Sequence, residues 1–315
     1  MYAGWLHRAP RVATAVLVAG ALGSSLTGCD GGAAAADDGK LTIVASFYPL
    51  QWLAEQIGGD VVTVTSLTKP GAEPHDLELA PSDVARVADA DLVAYLSGFQ
   101  PAVDDAVDRE ARHTSFDAAQ AADLDLTYTP IEDGEEQHDA EGAVDPHFWL
   151  DPQRLSAVAA ALTQRMSEQD TKDAAAFSAN LATLQGELAD LDHDFAEALQ
   201  SCQNRDLVTS HNAFGYLAGR YGLTQVGITG LTAEGEPSPS DLAEVTEFVR
   251  DHDVHTIYYE TLVSPAIAET VARETGAKTA VLDPIEGLTD DSPGHDYLDV
   301  MRANLANLVA GQPCL

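Results

Sequence analysis

The feature that most constrains the fold is a long stretch without proline near the middle of the chain. Residues 171–200 contain a single glycine, Gly186, and no proline. Their apolar side chains recur at helical spacing and form one stripe: Phe177, Leu181, Leu184, Leu188, Leu191 and Phe195. A helix of this length would be about 45 Å long, at roughly 1.5 Å per residue. Because one lobe does not need so long a rod, we predict that 171–200 is a stiff linking helix between two lobes.

Runs of β-branched and apolar residues that suit strands lie on both sides of this stretch. They are 41–47, 61–67 and 91–97 before it, and 207–210, 256–259 and 279–282 after it. Helical segments such as 239–250 and 265–274 separate the strands. Strands that alternate with helices pair in parallel and are covered by helices on both faces. The sequence therefore predicts an α/β protein with two lobes, 41–170 and 201–315, each a parallel sheet flanked by helices.

Composition limits the kind of partner. The chain has 315 residues, of which 45% are hydrophobic, and this is enough for about two domains with buried cores. It carries 51 acidic and 16 basic residues, for a formal net charge of -35. Such a charge repels nucleic acid, so it argues against a DNA or RNA partner. Cations are the natural ligands, although an acidic surface also serves solubility.

The N-terminus has the layout of a targeting segment. Two arginines precede an apolar run over 12–22, which is too short to span a bilayer and fits a secretory signal. The run leads to a Leu-Thr-Gly-Cys tetrapeptide ending at Cys29, which resembles the lipobox of bacterial lipoproteins. The resemblance implies a signal peptide over 1–29 and lipidation of Cys29; a plain secretory signal is the alternative. Residues 30–40 are mostly Gly, Ala and Asp, which predicts a flexible tether.

Two cysteines remain beyond Cys29. Cys202 and Cys314 form an even pair, which outside the cytoplasm is most simply a disulfide. Such a bond would tie the middle of the chain to its C-terminus, and we interpret it as structural.

Candidate metal ligands lie where predicted strands end. His211, Glu260 and Asp283 each come directly after one strand of the second lobe. In open α/β sheets, ligands bind at the carboxyl ends of the strands. In the first lobe, His75 lies in a loop with Gly and Pro, and His147 is held between two Asp-Pro steps that stiffen the backbone. We therefore expect two ligands from each lobe to converge on the cleft.

This set of side chains favours a particular metal chemistry. Three imidazoles and one carboxylate suit a borderline divalent ion such as zinc, whereas harder cations prefer more oxygen ligands. A site with four protein ligands has no open position for an activated water, so it would hold metal and not catalyse. The other histidines lie in helical or surface contexts typical of solvated side chains: His113, His193, His252, His255 and His295.

Several motifs together resemble the zinc/manganese substrate-binding lipoproteins of ABC uptake systems. They are 71–78, 145–152, 209–216 with 221–223, and 282–284, in family order from about Leu41 to the C-terminus. The resemblance implies two parallel-sheet lobes joined by one long helix, with metal in the cleft. It carries ligand roles onto His75, His147, His211 and Asp283, with Glu260 as an auxiliary candidate.

One segment departs from the family pattern. Zinc-specific relatives often carry a long, acidic and histidine-rich loop before the motif that contains His147. The corresponding segment here, 123–143, is acidic but has one histidine, His138. Metal recruitment by His138 is one hypothesis for this loop, and a solvated linker is the other.

The resemblance also implies a function. We expect a monomeric, lipid-anchored, extracytoplasmic protein that captures Zn²⁺ and delivers it to an ABC permease and its ATPase. Manganese-type relatives often have a carboxylate at the position of His211, so histidine favours zinc, with a manganese or iron carrier as the alternative.

Other function classes fit the sequence less well. A secreted zinc hydrolase would need an open coordination position, and no H-E-x-x-H segment is present. A nucleotide-binding enzyme is disfavoured because no Walker loop or G-x-G-x-x-G turn follows the first strand. Cell adhesion would be an added role, since it does not explain ligands at successive strand ends.

Overall fold

The computed structural model describes residues 39–128 and 142–314. The predicted signal peptide with Cys29, most of the predicted tether, and His138 lie outside these residues. Within them, no helix is both long and apolar enough to cross a bilayer.

The first half forms a four-stranded parallel sheet. Its strands are β1 (Leu41–Ala45), β2 (Val62–Ser66), β3 (Leu92–Tyr95) and β4 (Ser115–Asp117), in the order β2-β1-β3-β4. The helices of this half are α1 (Tyr48–Gly58), α2 (Pro81–Asp89), α3 (Pro101–Ala106), α4 (Ala119–Ala122) and α5 (Pro152–Gln169). A short 3₁₀ turn, Phe148–Leu150, precedes α5. The connections reverse direction between β1 and β3, which is where sheets of this kind bind ligands.

One long helix, α6 (Ala174–Leu199), lies within the predicted linking stretch. Its 26 residues make a rod of about 39 Å. Five of the six predicted stripe residues are buried, and Leu199 extends the buried stripe. The sixth, Leu181, is partly buried. The helix packs against α1 and α5 of the first half.

The second half repeats the topology of the first. Its strands are β5 (Asp206–Thr209), β6 (Thr224–Gly227), β7 (Thr256–Tyr259) and β8 (Lys278–Val281), all parallel, in the order β6-β5-β7-β8. Its helices are α7 (Gly215–Tyr221), α8 (Pro239–Asp251), α9 (Ala266–Thr275) and α10 (Tyr297–Gly311). The predicted fold class of two parallel sheets flanked by helices is thus confirmed.

Two of the eight strands, β4 and β6, were not predicted from the sequence. β4 has only three residues, and β6 reads Thr-Gln-Val-Gly, so neither has the apolar or β-branched run that signals a strand. Both lie at the edge of their sheet, where fewer side chains need to be buried.

The main hydrophobic core is shared by the two halves. It includes Ile43 of β1, Phe195 of α6, Leu207 of β5 and Tyr297 of α10. Smaller clusters complete each half, one around Val93 and the other confined to the second half. The lobe boundaries 41–170 and 201–315 remain a prediction, because a continuous core runs through both halves and α6.

The predicted cysteine pair is a disulfide. Cys202 and Cys314 are bonded and are separated by 112 positions in the chain. Cys202 follows α6 and Cys314 follows α10, so the bond fastens the C-terminal helix to the end of the long one.

We expect replacement of both cysteines by serine to lower the free energy of unfolding by at most about 4 to 5 kcal/mol, because the unfolded chain regains the entropy that a loop of this length loses. Urea unfolding of the oxidised wild type and of the double variant measures this difference. Chemically reduced wild type is the control and should match the variant. Equal midpoints for all three would contradict a stabilising role.

Candidate metal centre

Four buried side chains from both halves converge at one point. His75, His147, His211 and Glu286 each offer one ligand atom, and these atoms lie within 4.8 Å of one another. His147 and Glu286 are 0% exposed, His211 1% and His75 8%. Among the described residues, this is the only group of three or more such side chains that can hold a metal ion.

The fold explains why these residues meet. His75 lies in the loop after β2, His211 follows β5 and Glu286 lies in the loop after β8, so all three project from the carboxyl side of a sheet. His147 begins the 3₁₀ turn before α5. Asp151 then accepts a hydrogen bond from Gln153 N and caps α5, which starts at Pro152.

The geometry centres on one carboxylate oxygen. Glu286 Oε1 lies 3.3 Å from His75 Nε2, 3.2 Å from His147 Nε2 and 3.5 Å from His211 Nε2. Ligand atoms at about 2.0 to 2.2 Å from a tetrahedral metal are about 3.3 to 3.6 Å from one another. The three distances from Glu286 Oε1 to the imidazole nitrogens are close to this range.

Two buried atoms of the cluster have no hydrogen-bond partner. They are His211 Nε2 and Glu286 Oε2. Buried polar atoms without partners are costly, and native proteins keep few of them. A divalent cation would bind this nitrogen and the Glu286 carboxylate, so the donor set fits a metal ion.

Two of the three imidazoles are oriented by carboxylates behind them. His147 Nδ1 lies 2.8 Å from Asp145 Oδ1, and His211 Nδ1 lies 2.7 Å from Glu260 Oε1. A proton on Nδ1 donates to the carboxylate and leaves the Nε2 lone pair facing the cluster.

Glu260, the predicted auxiliary ligand, is therefore not one of the four converging groups. It also accepts a hydrogen bond from Ser210 Oγ at 2.8 Å. Its position behind the ring of His211 makes it an orienting group for that ligand.

Charges within the cluster shift its titration. Burial alone would raise the pKa of Glu286, but the three surrounding histidines, two of them hydrogen-bonded to it, hold that pKa well below its usual range. Burial alone would lower the pKa of His147 and of His211, but their carboxylate partners raise both. Burial lowers the pKa of His75, with Glu286 opposing the shift. These shifts favour the ionised form of Glu286 and extend the protonated range of His147 and His211 to higher pH.

The structure does not bring Asp283 into the cluster, which corrects the predicted fourth member to Glu286. Asp283 Oδ1 accepts a hydrogen bond from Ile285 N and Oδ2 accepts one from Thr261 Oγ1, both at 2.8 Å. Its main chain is held by Asn304, which accepts from Asp283 N and donates to Asp283 O. With both oxygens engaged, Asp283 shapes the loop instead of facing the histidines.

Asp283 stabilises an unusual turn. Ile285 has a φ of +58°, a left-handed conformation that a β-branched residue rarely adopts. Glu286 directly follows Ile285, three residues after Asp283, and its carboxylate lies in the cluster. The sequence signal available was an acidic residue shortly after a strand end, but both Asp283 and Glu286 satisfy it.

The loop that carries Glu286 is fastened to the turn that carries His147. Trp149 Nε1 donates to Pro284 O at 2.7 Å, and Tyr297 Oη donates to Trp149 O at 2.5 Å. The Trp149 ring packs against Phe47 and His147. These contacts couple the positions of ligands that come from different halves of the chain.

A further acidic side chain, Glu73, lies next to the cluster. Its Oε1 accepts a hydrogen bond from His75 N at 2.8 Å. Burial raises the pKa of Glu73 to about 8, and the negative charge of Glu286 adds to the shift. Sequence reasoning did not single out Glu73.

The other described histidines stay outside the cluster, as predicted; His252, for example, pairs with Asp206.

Known proteins of related sequence point to one family. A family model described as zinc-uptake complex component A, periplasmic, matches residues 43–311. The high-affinity zinc uptake system protein ZnuA of Bacillus subtilis is 34% identical over 309 residues, which is 93% of each chain. The zinc-binding lipoprotein AdcA of Streptococcus pneumoniae is 37% identical over 280 residues, which is 86% of this chain and 56% of AdcA. The chain thus spans little more than half the length of AdcA.

Solved structures with the same fold carry related descriptions. The Zn(II)-bound ZnuA-like domain of S. pneumoniae AdcA is 34% identical with a TM-score of 0.72, over 87% of this chain and 100% of that domain. The laminin-binding protein Lmb of Streptococcus agalactiae, described as bifunctional with adhesin and metal transporting activity, is 31% identical with a TM-score of 0.74, over 86% and 99%. With the family match over 43–311, these similarities establish that the chain belongs to the ZnuA family of periplasmic zinc-uptake components.

Proposed function

We propose that this protein captures Zn²⁺ with His75, His147, His211 and Glu286 and delivers it to an ABC permease. The observation that carries the proposal is the convergence of three Nε2 atoms at 3.2 to 3.5 Å from one oxygen of a buried carboxylate. Family membership and the zinc-binding relatives support the same metal.

The donor set favours zinc over manganese. Three nitrogen donors and a single carboxylate match the borderline softness and low coordination number of zinc, whereas manganese binds better to oxygen-rich sites. A manganese or iron carrier is the alternative within the same fold.

The four-ligand cluster suits binding and release of a metal ion and does not suit catalysis. Four protein donors fill a tetrahedral shell, so no position is left for a water to be activated. We therefore assign the protein to solute binding and give it no enzymatic role.

The cellular setting follows from the N-terminus and the family. A lipid on Cys29 would anchor the mature protein outside the cytoplasm, in keeping with a family described as periplasmic and a relative named as a lipoprotein. The partners would be the permease and its ATPase, with the protein acting as a monomer. The likeness to Lmb supports cell adhesion as a second, additional role.

We expect the wild type to bind one zinc ion and to keep it against a tenfold excess of manganese. The reason is that a site rich in nitrogen donors should prefer zinc over manganese by at least about tenfold. Competition titration and metal analysis of the protein without residues 1–29 measure the preference. The His147→Ala variant should lose tight binding. Wild type without stoichiometric metal would refute the proposal, whereas preferential manganese would change the cargo.

Matched amide variants distinguish the roles of Glu286 and Asp283 in zinc binding. We expect Glu286→Gln to weaken zinc binding by about 100-fold or more, because it removes the anionic ligand, and Asp283→Asn to weaken it less, within the roughly 10- to 100-fold typical of supporting groups. Calorimetric zinc titration measures both, and Asp290→Asn on the exposed part of the same loop is the control. An equal or larger loss for Asp283→Asn would contradict the assignment of Glu286.

Zinc affinity should fall as the pH falls. Only a neutral imidazole can bind metal, and the raised pKa values of His147 and His211 extend the protonated range upwards. Binding is therefore strongest above these raised values and is lost as the pH drops through them. Titration in buffers of different ionisation enthalpy should show release of roughly two protons per zinc near neutral pH. Uptake of zinc without proton release would contradict the protonated apo cluster.

A further inference from the structure

Glu73 has one oxygen fixed and one oxygen free. Oε1 accepts the hydrogen bond from His75 N at 2.8 Å, which ties the carboxylate to the backbone of a cluster residue. Oε2 is shielded from solvent and has no hydrogen-bond partner. A shielded carboxylate oxygen without a partner is unfavourable unless something else binds it. The Glu73 carboxylate is therefore held in place, and its Oε2 remains available to bind a ligand.

The loop that carries Glu73 touches the loop that carries Glu286. A Cβ placed on Gly287 would lie 3.9 Å from the carbonyl oxygen of Ala72, which is ordinary contact distance. A Cβ on Gly71 would lie 3.4 Å from Thr289 Cγ2. The charge of Glu286 also acts directly on Glu73. Glu73 thus lies beside Glu286 where the two halves of the protein meet.

Glu73 stands closer to solvent than the cluster does. The four cluster residues are buried, whereas Glu73 is partly exposed. The loop before Glu73 and the loop after Glu286 also line an open depression of about 450 Å³, formed by Pro70, Leu288, Thr289, Asp290, Gly294 and His295. Glu73 is therefore placed at the boundary between solvent and the buried ligands.

A hydrated divalent ion must lose its waters before it reaches four buried ligands. Complete removal of that hydration before any protein ligand binds would be very costly. A carboxylate oxygen at the boundary can replace one water while the others remain, which divides the dehydration into smaller steps.

We propose that Glu73 is a transfer ligand for the metal, an inference that rests on the proposed zinc capture. Glu73 Oε2 binds the incoming ion as one water leaves. The bond to Oε2 then breaks as His75 Nε2 and Glu286 Oε1 bind the ion and the remaining waters depart. Release follows the same steps in reverse. Because Glu73 binds the ion only in passage, it acts on the rates of binding and release and leaves the equilibrium affinity nearly unchanged.

The Glu73→Gln variant tests this role, since the glutamine oxygen can still accept from His75 N while an amide nitrogen, which does not bind metal, takes the place of Oε2. We expect zinc association and dissociation to slow together by about tenfold, which corresponds to a barrier higher by about 1.4 kcal/mol, with the Kd changed by less than about threefold. Stopped-flow measurements on the full chain in detergent, with zinc and a fluorescent chelator, give both rates. Glu78→Gln, an exposed acid on the same loop, is the control and should keep wild-type rates.

Two results would overturn the inference. Equal rates for Glu73→Gln and Glu78→Gln would remove any special role for Glu73. Faster dissociation with a Kd weakened tenfold or more would make Glu73 a lasting ligand instead of a transfer ligand. If Glu73→Gln does not fold, as judged by its melting temperature, Glu73→Asp is used, and the inference then requires both rates to fall together.

The same experiment keeps this inference apart from the proposed function. Wild type and Glu78→Gln must first bind one zinc ion. Failure of the wild type to bind zinc refutes the function and the inference with it, whereas normal zinc binding with unaltered rates in Glu73→Gln refutes the inference alone.

Discussion

The structure depends on one buried carboxylate surrounded by three imidazoles. Glu286 Oε1 lies within 3.5 Å of an Nε2 atom from His75, His147 and His211, and Glu286 itself is fully buried. A buried carboxylate is tolerable only when positive charge or donors neutralise it. Two imidazoles come from the first half and one from the second, so the ion-binding group exists only when the halves are packed together.

The rest of the fold supplies that packing. A single core runs from β1 through α6 to α10, and the Cys202–Cys314 bond fastens the end of the chain to it. Hydrogen bonds from Trp149 to Pro284 and from Tyr297 to Trp149 then set the two cluster loops against each other. Because Trp149 joins the His147 turn of one half to the Glu286 loop of the other, small shifts between the halves can alter the coordination without opening the core.

Charge explains how the site exists before metal arrives. Protons on His147 and His211 place positive charge beside the buried carboxylate of Glu286. A divalent cation bound at the centre of the same group would take the place of such protons, so binding would exchange protons for metal without a large change in net charge. Glu73, outside this balanced set, is free to handle the ion at the solvent boundary.

The sequence by itself determined the alternation of strands and helices, the long central helix, the cysteine pair and the three histidines of the cluster. These follow from local patterns: β-branched runs, a stripe at helical spacing, and His residues beside strand ends or Asp-Pro steps. Only the tertiary structure decided that Glu286 joins the cluster while Asp283 shapes the loop and Glu260 orients His211. That choice rests on the left-handed turn at Ile285 and on contacts with Thr261 and Asn304, which are distant in sequence. Local spacing identifies which acidic side chains are near a strand end, but the direction in which each one points is decided by partners from the rest of the chain.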